Sequence, residues 1–266
     1  MSPALFSVFM DGLSQALTKT GVGCSINGTM ANHLAYADDM VLLAPSVAAM
    51  RDLLAECGKY ASRHNMKYNP DKSEFMVMEA ANMPLAVPPL VLDGVQLRRV
   101  YEVKYLGHIL LSSLKDHRDV ERQRRAIAVR ANMLARRFAK CSDDVKRQLF
   151  LSFCTCVYTV ELWSDYTCAA VGDMRVQYNN AWRALFRLPR WCSASAMFAK
   201  GRAPGWAALL RARSAAARRA IYASSNTLLS AMREWNGSPL HERWRTYHKP
   251  SCHHGVGATR LVNIKF

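Results

Sequence analysis

Asp38 and Asp39 stand side by side in His33-Leu34-Ala35-Tyr36-Ala37-Asp38-Asp39-Met40-Val41-Leu42-Leu43, two short apolar runs around an adjacent pair of carboxylates. Apolar runs of this length, bounded by turn signals, read as buried strands. The pair is therefore expected at the tip of a hairpin whose arms are anchored in a core. Adjacent like charges at a tight turn repel each other. A hard divalent cation such as Mg²⁺, which takes carboxylate oxygens, offsets that repulsion. A solvated acidic turn explains the same residues, and the motif alone leaves both readings open.

The elements that must position this pair are legible on either side of it. Ser2-Pro3 is a helix start, because Ser can cap and Pro fits the first helical position. Leu5, Phe6, Phe9, Met10, Leu13 and Leu17 then recur at helical spacing, and the helix is expected to end before Gly21 and Gly23. Ser46 opens a second helix with Met50, Leu53, Leu54, Cys57, Tyr60 and Ala61 on one face. Asn69-Pro70-Asp71 is a turn, and Ser73 to Met78 reads as a strand. Pro84, Pro88 and Pro89 mark a loop, and Asp93-Gly94 signals a hairpin between Val91-Leu92 and Val95-Gln96-Leu97. Val103 to Leu110 reads as one further strand with a bend at Gly107.

Beyond about residue 115 the strand signals stop. Val120, Ile127, Ala131, Leu134 and Phe138 line one face of a helix, with Arg118, Arg122, Arg125 and Arg136 largely elsewhere on it. Helices are expected around 143–162, 173–187 and 204–234, with Leu188-Pro189-Arg190-Trp191 separating two helical pieces. There is no internal repeat.

Composition bounds the function. With 266 residues, half of them hydrophobic, a sizeable core is possible. The start Met1-Ser2-Pro3 has neither the basic region nor the apolar run of a secretory signal. No apolar run is long enough to span a bilayer, so no membrane partner is expected. Eight Cys without a secretory signal read as reduced thiols. Cys154 and Cys156 suit helical core packing, and Cys252-His253-His254 is a weak zinc candidate for want of partners at ligand spacing. The net charge of +16 is unevenly spread. Residues 1–97 hold six Lys and Arg against nine Asp and Glu, whereas residues 175–250 hold fourteen against two. An acidic end joined to a strongly basic one fits a metal-bearing part attached to a phosphate-neutralising surface. A basic face that serves solubility is the plainer reading.

In order along the chain these elements resemble the palm of a reverse transcriptase, of the LINE-type (non-LTR) retrotransposon kind. Met1-Ser2-Pro3-Ala4-Leu5-Phe6 is similar to the end of the family's Gly-rich stretch and the helix after it. Ala35-Tyr36-Ala37-Asp38-Asp39 is similar to its catalytic hairpin, Asn69-Pro70-Asp71-Lys72-Ser73 to its lysine-bearing motif, and Lys104-Tyr105-Leu106-Gly107 to its primer-grip region. Tyr158-Thr159-Val160-Glu161-Leu162-Trp163 and Asn179-Asn180-Ala181-Trp182-Arg183 resemble the helical region beyond the palm. The resemblance implies an α+β fold: a partial polymerase palm, an antiparallel sheet with helices, over 1–115; a thumb-like helical region over 116–188; and a basic helical C-terminal region over 189–266. It implies Asp38 as a Mg²⁺ ligand, Asp39 as a weaker ligand or supporting charge, and Lys72 as a charge partner or proton donor at the leaving pyrophosphate. Tyr36, Tyr105, Leu106 and Gly107 would lie against the primer, and Arg118, Arg122, Arg125 and Arg136 against nucleic acid. The implied partners are an RNA template, a DNA primer and deoxynucleoside triphosphates, and the implied setting is intracellular, with the nucleus as the plausible site.

One departure shapes the functional expectation. The family's two-metal site takes a third carboxylate from a strand well before the hairpin, but the acidic residue ahead of Asp38 here is Asp11, in the first helix. The Gln-Gly pair expected before Ser2-Pro3 and the fingers are likewise absent from this sequence. Two functions are therefore expected as alternatives: a truncated RNA-directed DNA polymerase, inactive alone, and a non-catalytic nucleic-acid-binding remnant of a retroelement. An unrelated helical scaffold is a third reading.

Overall fold

The computed structural model describes residues 2–79, 87–235 and 237–248, with side chains from residue 5 onward. Pro84 and the Cys252-His253-His254 cluster lie outside the described residues. The first helix, α1 (Ser2–Lys19), buries Leu13 and Leu17 against Leu53, Cys57 and Tyr60 of α2 (Val47–Arg63). Ser46 caps α2 as its residue type predicts, its side chain accepting from the Ala49 N–H at 3.1 Å. The other side of α2 carries Val47, Met50 and Leu54 onto Leu90, Leu92 and Leu97. One amphipathic helix thus joins two small cores. The Tyr60 hydroxyl donates to the Phe9 carbonyl at 2.6 Å, which fixes the axial register of the two helices.

Between and after these helices the strands form five two-stranded pieces rather than one antiparallel sheet. β1 (Cys24–Ile26) pairs with β2 (Thr29–Ala31), and β3 (His33–Tyr36) with β4 (Asp39–Leu42). β6 (Val91–Leu92) pairs with β7 (Val95–Gln96) about the Asp93-Gly94 turn. β5 (Glu74–Met76), shorter than expected, pairs with β8 (Arg98–Val100) in parallel, and an Arg98–Glu74 ion pair lies across that pairing. The Val103–Leu110 run is two strands, not one with a bend. β9 (Glu102–Tyr105) reverses at Leu106 and Gly107, both at positive φ, into β10 (His108–Leu111). An apolar run gives no sign of where it doubles back when the turn residues are a Leu and a Gly. The fold is α+β.

The rest is helical: α3 (His117–Arg137), α4 (Asp143–Phe153), a 3₁₀ turn (Val160–Leu162), α5 (Cys168–Phe186), α6 (Ala194–Lys200), α7 (Trp206–Ala223), α8 (Thr227–Glu234) and α9 (Pro239–His248). The expected helix 143–162 stops at Phe153, and Cys154 turns inward, fully buried, while Cys156 is exposed. The expected helix 204–234 breaks at Ser224, where Asn226 caps α8 through the N–H groups of Leu228 and Leu229. The core is aromatic. Phe150, Tyr178, Trp182, Phe198 and Trp206 pack ring on ring, with α3 lying along α5 through Ile127, Ala131 and Leu134. Each such ring contributes about 1.5–3 kcal/mol by leaving water, so this cluster dominates the stability of the helical part. Late in the chain, α8 returns to lie against β1 and β2.

The strands and helices meet at a buried carboxylate. Asp119 of α3 has no solvent exposure, and its two oxygens accept from the Ile109 N–H (3.1 Å), Arg122 Nε and Nη2 (2.8 and 2.6 Å), Trp163 Nε1 (2.8 Å) and the Thr159 hydroxyl (3.3 Å), with His108 Nδ1 at 3.2 Å. Burial alone would raise its pKa. The hydrogen bonds from His108, Trp163, Ile109 and Arg122 outweigh burial and hold it below the usual carboxylate range. Beside it, Asp116 accepts from the Ser164 and Asp165 N–H groups at 2.7 and 2.8 Å. Asp119→Ala would strand an indole N–H, a backbone N–H and a guanidinium at once, and is expected to cost on the order of 3–5 kcal/mol. Denaturant unfolding of Asp119→Ala against wild type checks this; a loss below about 1 kcal/mol would contradict it.

Candidate active site and nucleic-acid surface

The carboxylate pair sits where the spacing predicts. Tyr36 of β3 faces Asp39 of β4, so Ala37 and Asp38 form a two-residue turn, with Ala37 at φ +52°. A non-glycine residue in this region costs about 1 kcal/mol. Asp38 and Asp39 are both exposed, and neither is hydrogen-bonded or ion-paired to a side chain among the described residues. The arms are less buried than expected. Leu34 is 42 % exposed and Tyr36 66 %, whereas Met40 and Leu42 pack on the α1–α2 core. The hairpin is therefore anchored through β4, and one face of β3 is open to water.

Its base is tied to α1 by a polar relay. Asn32 is buried, and its amide nitrogen donates to the Leu17 and Val22 carbonyls at 2.7 and 2.9 Å. Both of its N–H bonds being engaged, its oxygen is the acceptor for His33 Nδ1 at 2.8 Å. His33 Nε2 then accepts the Ser14 hydroxyl proton at 2.6 Å. The Asn32 carbonyl takes the Leu43 N–H at 2.8 Å, closing the hairpin. Gly23 is required beside this relay, since a Cβ there would lie 2.5 Å from the Asn32 Cβ.

The β9–β10 turn carries three more of the residues that the sequence points to, Tyr105, Leu106 and Gly107. Tyr105 is half-buried, and both burial and the Asp39 charge push its phenol upward, so the two lie within electrostatic reach. Leu106 is exposed at the tip. Gly107, at φ +82°, makes the reversal, and a Cβ on it would come within 3.1 Å of the Tyr158 ring. The Asp119 bond to the Ile109 N–H holds this hairpin to α3. Lys72 is exposed in the turn that Asn69 closes by accepting the Lys72 N–H, and no hydrogen bond or ion pair joins it to Asp38 or Asp39. Among the described residues no group of three or more His, Cys, Asp and Glu side chains is gathered to hold a metal. The hard oxygen donors of Asp38 and Asp39, exposed and lacking a counter-charge, nevertheless suit a divalent cation.

The basic residues divide by what they already bind. Arg118 pairs with Glu102, and Arg125 with Glu121, at the surface, and such pairs exchange readily for phosphate. Arg122 differs. Releasing it would leave Asp119 buried and unpaired, so its role is internal. Arg136 is exposed and without an ion pair. Sequence reasoning missed the α7 face, where Arg211, Arg218 and Arg219 are exposed and unpaired at i, i+7 and i+8, a periodicity visible in the sequence. Others are internal ties: Arg213 to the Thr155 carbonyl, Arg243 to that of Ser164, and Arg147 to those of Gly201 and Arg202.

The His33 relay carries a pH dependence. Burial lowers the His33 pKa from 6.5, so the unfolded chain takes up the proton more readily than the folded one. Its contribution is full above about pH 6.5 and is lost as the pH falls through the folded value. Thermal unfolding at pH 7.5 and 5.5 should show a larger acid-induced loss in wild type than in His33→Gln; equal losses would contradict the assignment.

Comparison with known proteins bears on this site. Residues 1–110 match the family described as reverse transcriptase (RNA-dependent DNA polymerase). Over 115 residues, 41% of this chain, the sequence is 31% identical to the retrovirus-related Pol polyprotein from type-1 retrotransposable element R2 of Popillia japonica. The matched stretch spans 16% of that polyprotein. No described helix is long and apolar enough to cross a membrane. The helix, the Asp38–Asp39 hairpin, the Lys72 turn and the Tyr105-Leu106-Gly107 reversal all fall inside residues 1–110, the stretch that is similar to the reverse transcriptases.

Proposed function

We propose that this chain is the metal-bearing hairpin and nucleic-acid-gripping part of an RNA-directed DNA polymerase, and that as a separate 266-residue polypeptide it does not polymerise. The observation that carries the reading is the exposed, uncompensated Asp38–Asp39 pair within electrostatic reach of Tyr105, in a stretch matching the reverse transcriptases. Asp38 and Asp39 hold Mg²⁺, which when bound stabilises charge on the attacking and leaving oxygens of nucleotide addition. Two carboxylates hold such metals poorly, so the third must come from outside the described residues. Tyr105 and Leu106, on a turn pinned through Asp119, lie against the primer end. Tyr36, projecting beside the pair, does the same from β3. Lys72, on its closed turn, supplies positive charge or a proton toward the leaving pyrophosphate. The RNA template and DNA primer are gripped without base readout by Arg118, Arg125 and Arg136 on α3 and by Arg211, Arg218 and Arg219 on α7.

The same arginines favour a second reading, a nucleic-acid-binding protein without catalysis, and one experiment separates the two. The chain is assayed for primer extension on an RNA template, alone and joined in frame behind the preceding portion of the Popillia japonica polyprotein. The expected result is no extension by the chain alone, extension by the joined protein, and its abolition by Asp38→Asn, with Asp39→Asn less severe. Binding without extension in both forms would establish the second reading, and extension by the chain alone would overturn the proposed inactivity.

A further inference from the structure

The turn Leu188-Pro189-Arg190-Trp191, between α5 and α6, has no part in the site described above, yet it carries the most exposed large hydrophobic side chain among the described residues. Trp191 is 86 % exposed, in a protein that buries Trp163, Trp182, Trp206 and Trp244 almost completely. The turn beneath it is fixed. Arg187 ends α5 in the left-handed region at φ 54°, and the Leu188 N–H returns to the Arg183 carbonyl at 2.9 Å. The Cys192 N–H donates to the Pro189 carbonyl at 3.1 Å, and the Arg183 guanidinium clamps the Cys192 carbonyl at 2.8 Å. Leu188 and Cys192, on either side of the ring, pack against the aromatic core. The indole is thus presented to solvent by a rigid support. Arg187 and Arg190 precede it by four residues and one residue in the chain, both exposed and neither ion-paired among the described residues.

An exposed π-face on a turn that also carries two unpaired guanidiniums matches what unpaired nucleic acid offers, a base to stack and phosphates along the same strand. A protein partner with an apolar patch would not call for two bare cations, and a duplex keeps its bases stacked within the helix. We infer that Trp191 is a stacking platform for one base of a single-stranded nucleic-acid segment, with Arg187 and Arg190 on its adjacent phosphates. This deepens the proposed function, on which it rests, by assigning the unpaired strand a place distinct from the duplex-gripping faces of α3 and α7. Rigidity supports the assignment, because a ring already held in place loses little freedom on binding.

The test uses fluorescently labelled oligo(U) and oligo(dT) and a blunt duplex of matched length, titrated with the full chain over a range of salt. Trp191→Ala is expected to weaken single-strand binding by about 10- to 100-fold, to leave the slope of log K against log salt unchanged, and to spare the duplex. Trp191→Phe should keep most of the affinity. Arg187→Gln and Arg190→Gln should each lower the single-strand slope by about 0.7, the contribution of one phosphate. Oligo(U) bound more tightly than oligo(dT) would assign the strand to RNA, and the reverse to DNA. Equal single-strand affinity of wild type and Trp191→Ala, with the duplex still bound, would overturn this inference alone. Failure of the wild type to bind any of the three would overturn the proposed function with it. A change in oligomeric state on Trp191→Ala, with nucleic-acid affinity intact, would give the ring to a contact between copies and also overturn the inference.

Discussion

Asp119 is where the strand-rich and helical parts become one structure. A carboxylate without solvent exposure is costly unless its lone pairs are filled, and here they are filled by groups from three separate places: the β10 backbone at Ile109, Arg122 one turn along α3, and the Thr159–Trp163 segment. Removing any one donor leaves the others holding a charge that water no longer reaches. The cost of disassembly is therefore shared, and the β9–β10 turn cannot drift from α3 without exposing the network. The turn's tip, with Tyr105 and Leu106, inherits that rigidity. Asp116 repeats the device nearby by taking two backbone N–H groups of the Ser164-Asp165 segment.

The Asp38–Asp39 hairpin is held by a different logic. Its anchor is one-sided, with Met40 and Leu42 on the α1–α2 core and the Asn32–His33–Ser14 relay at its base. That leaves the carboxylates and the Tyr36 side chain without a hydrogen-bond or ion-pair partner among the described residues, as the proposed contacts with a cation and a nucleic-acid end require. Stability comes mainly from the aromatic cluster of α4–α7, far along the chain. The hairpin can then remain open to solvent without compromising the whole.

How much of this is legible in the residues depends on the range of the interaction. The α1 and α2 helices, the Ser46 cap, the carboxylate hairpin and the Asp93-Gly94 turn are local, written in periodicity and turn chemistry, and they lie close to where those signals put them. The reversal at Leu106-Gly107 was missed because the run reads as continuous and its φ > 0 positions are invisible in composition. The end of α4 at Phe153 was missed because Cys154 and Val157 continue an apolar pattern although they pack inward from a loop. Long-range polar pairing is the least legible. Nothing around Asp119 shows that it will be buried, or that Arg122, which looks like part of a basic helix face, is its counter-ion. The parallel β5–β8 pairing and the return of α8 to β1–β2 are likewise consequences of packing between distant segments.

The central claim is that Asp38 and Asp39 together form the divalent-cation site, and paramagnetic broadening by Mn²⁺ in the amide NMR spectrum of the full chain tests it most directly. At substoichiometric Mn²⁺ the account predicts selective broadening of the Tyr36–Met40 amides, weaker broadening at Tyr105, and loss of both in the Asp38→Asn, Asp39→Asn double variant. Sharp hairpin signals, with broadening centred instead on other acidic positions such as Asp71 or Asp143-Asp144, would contradict it.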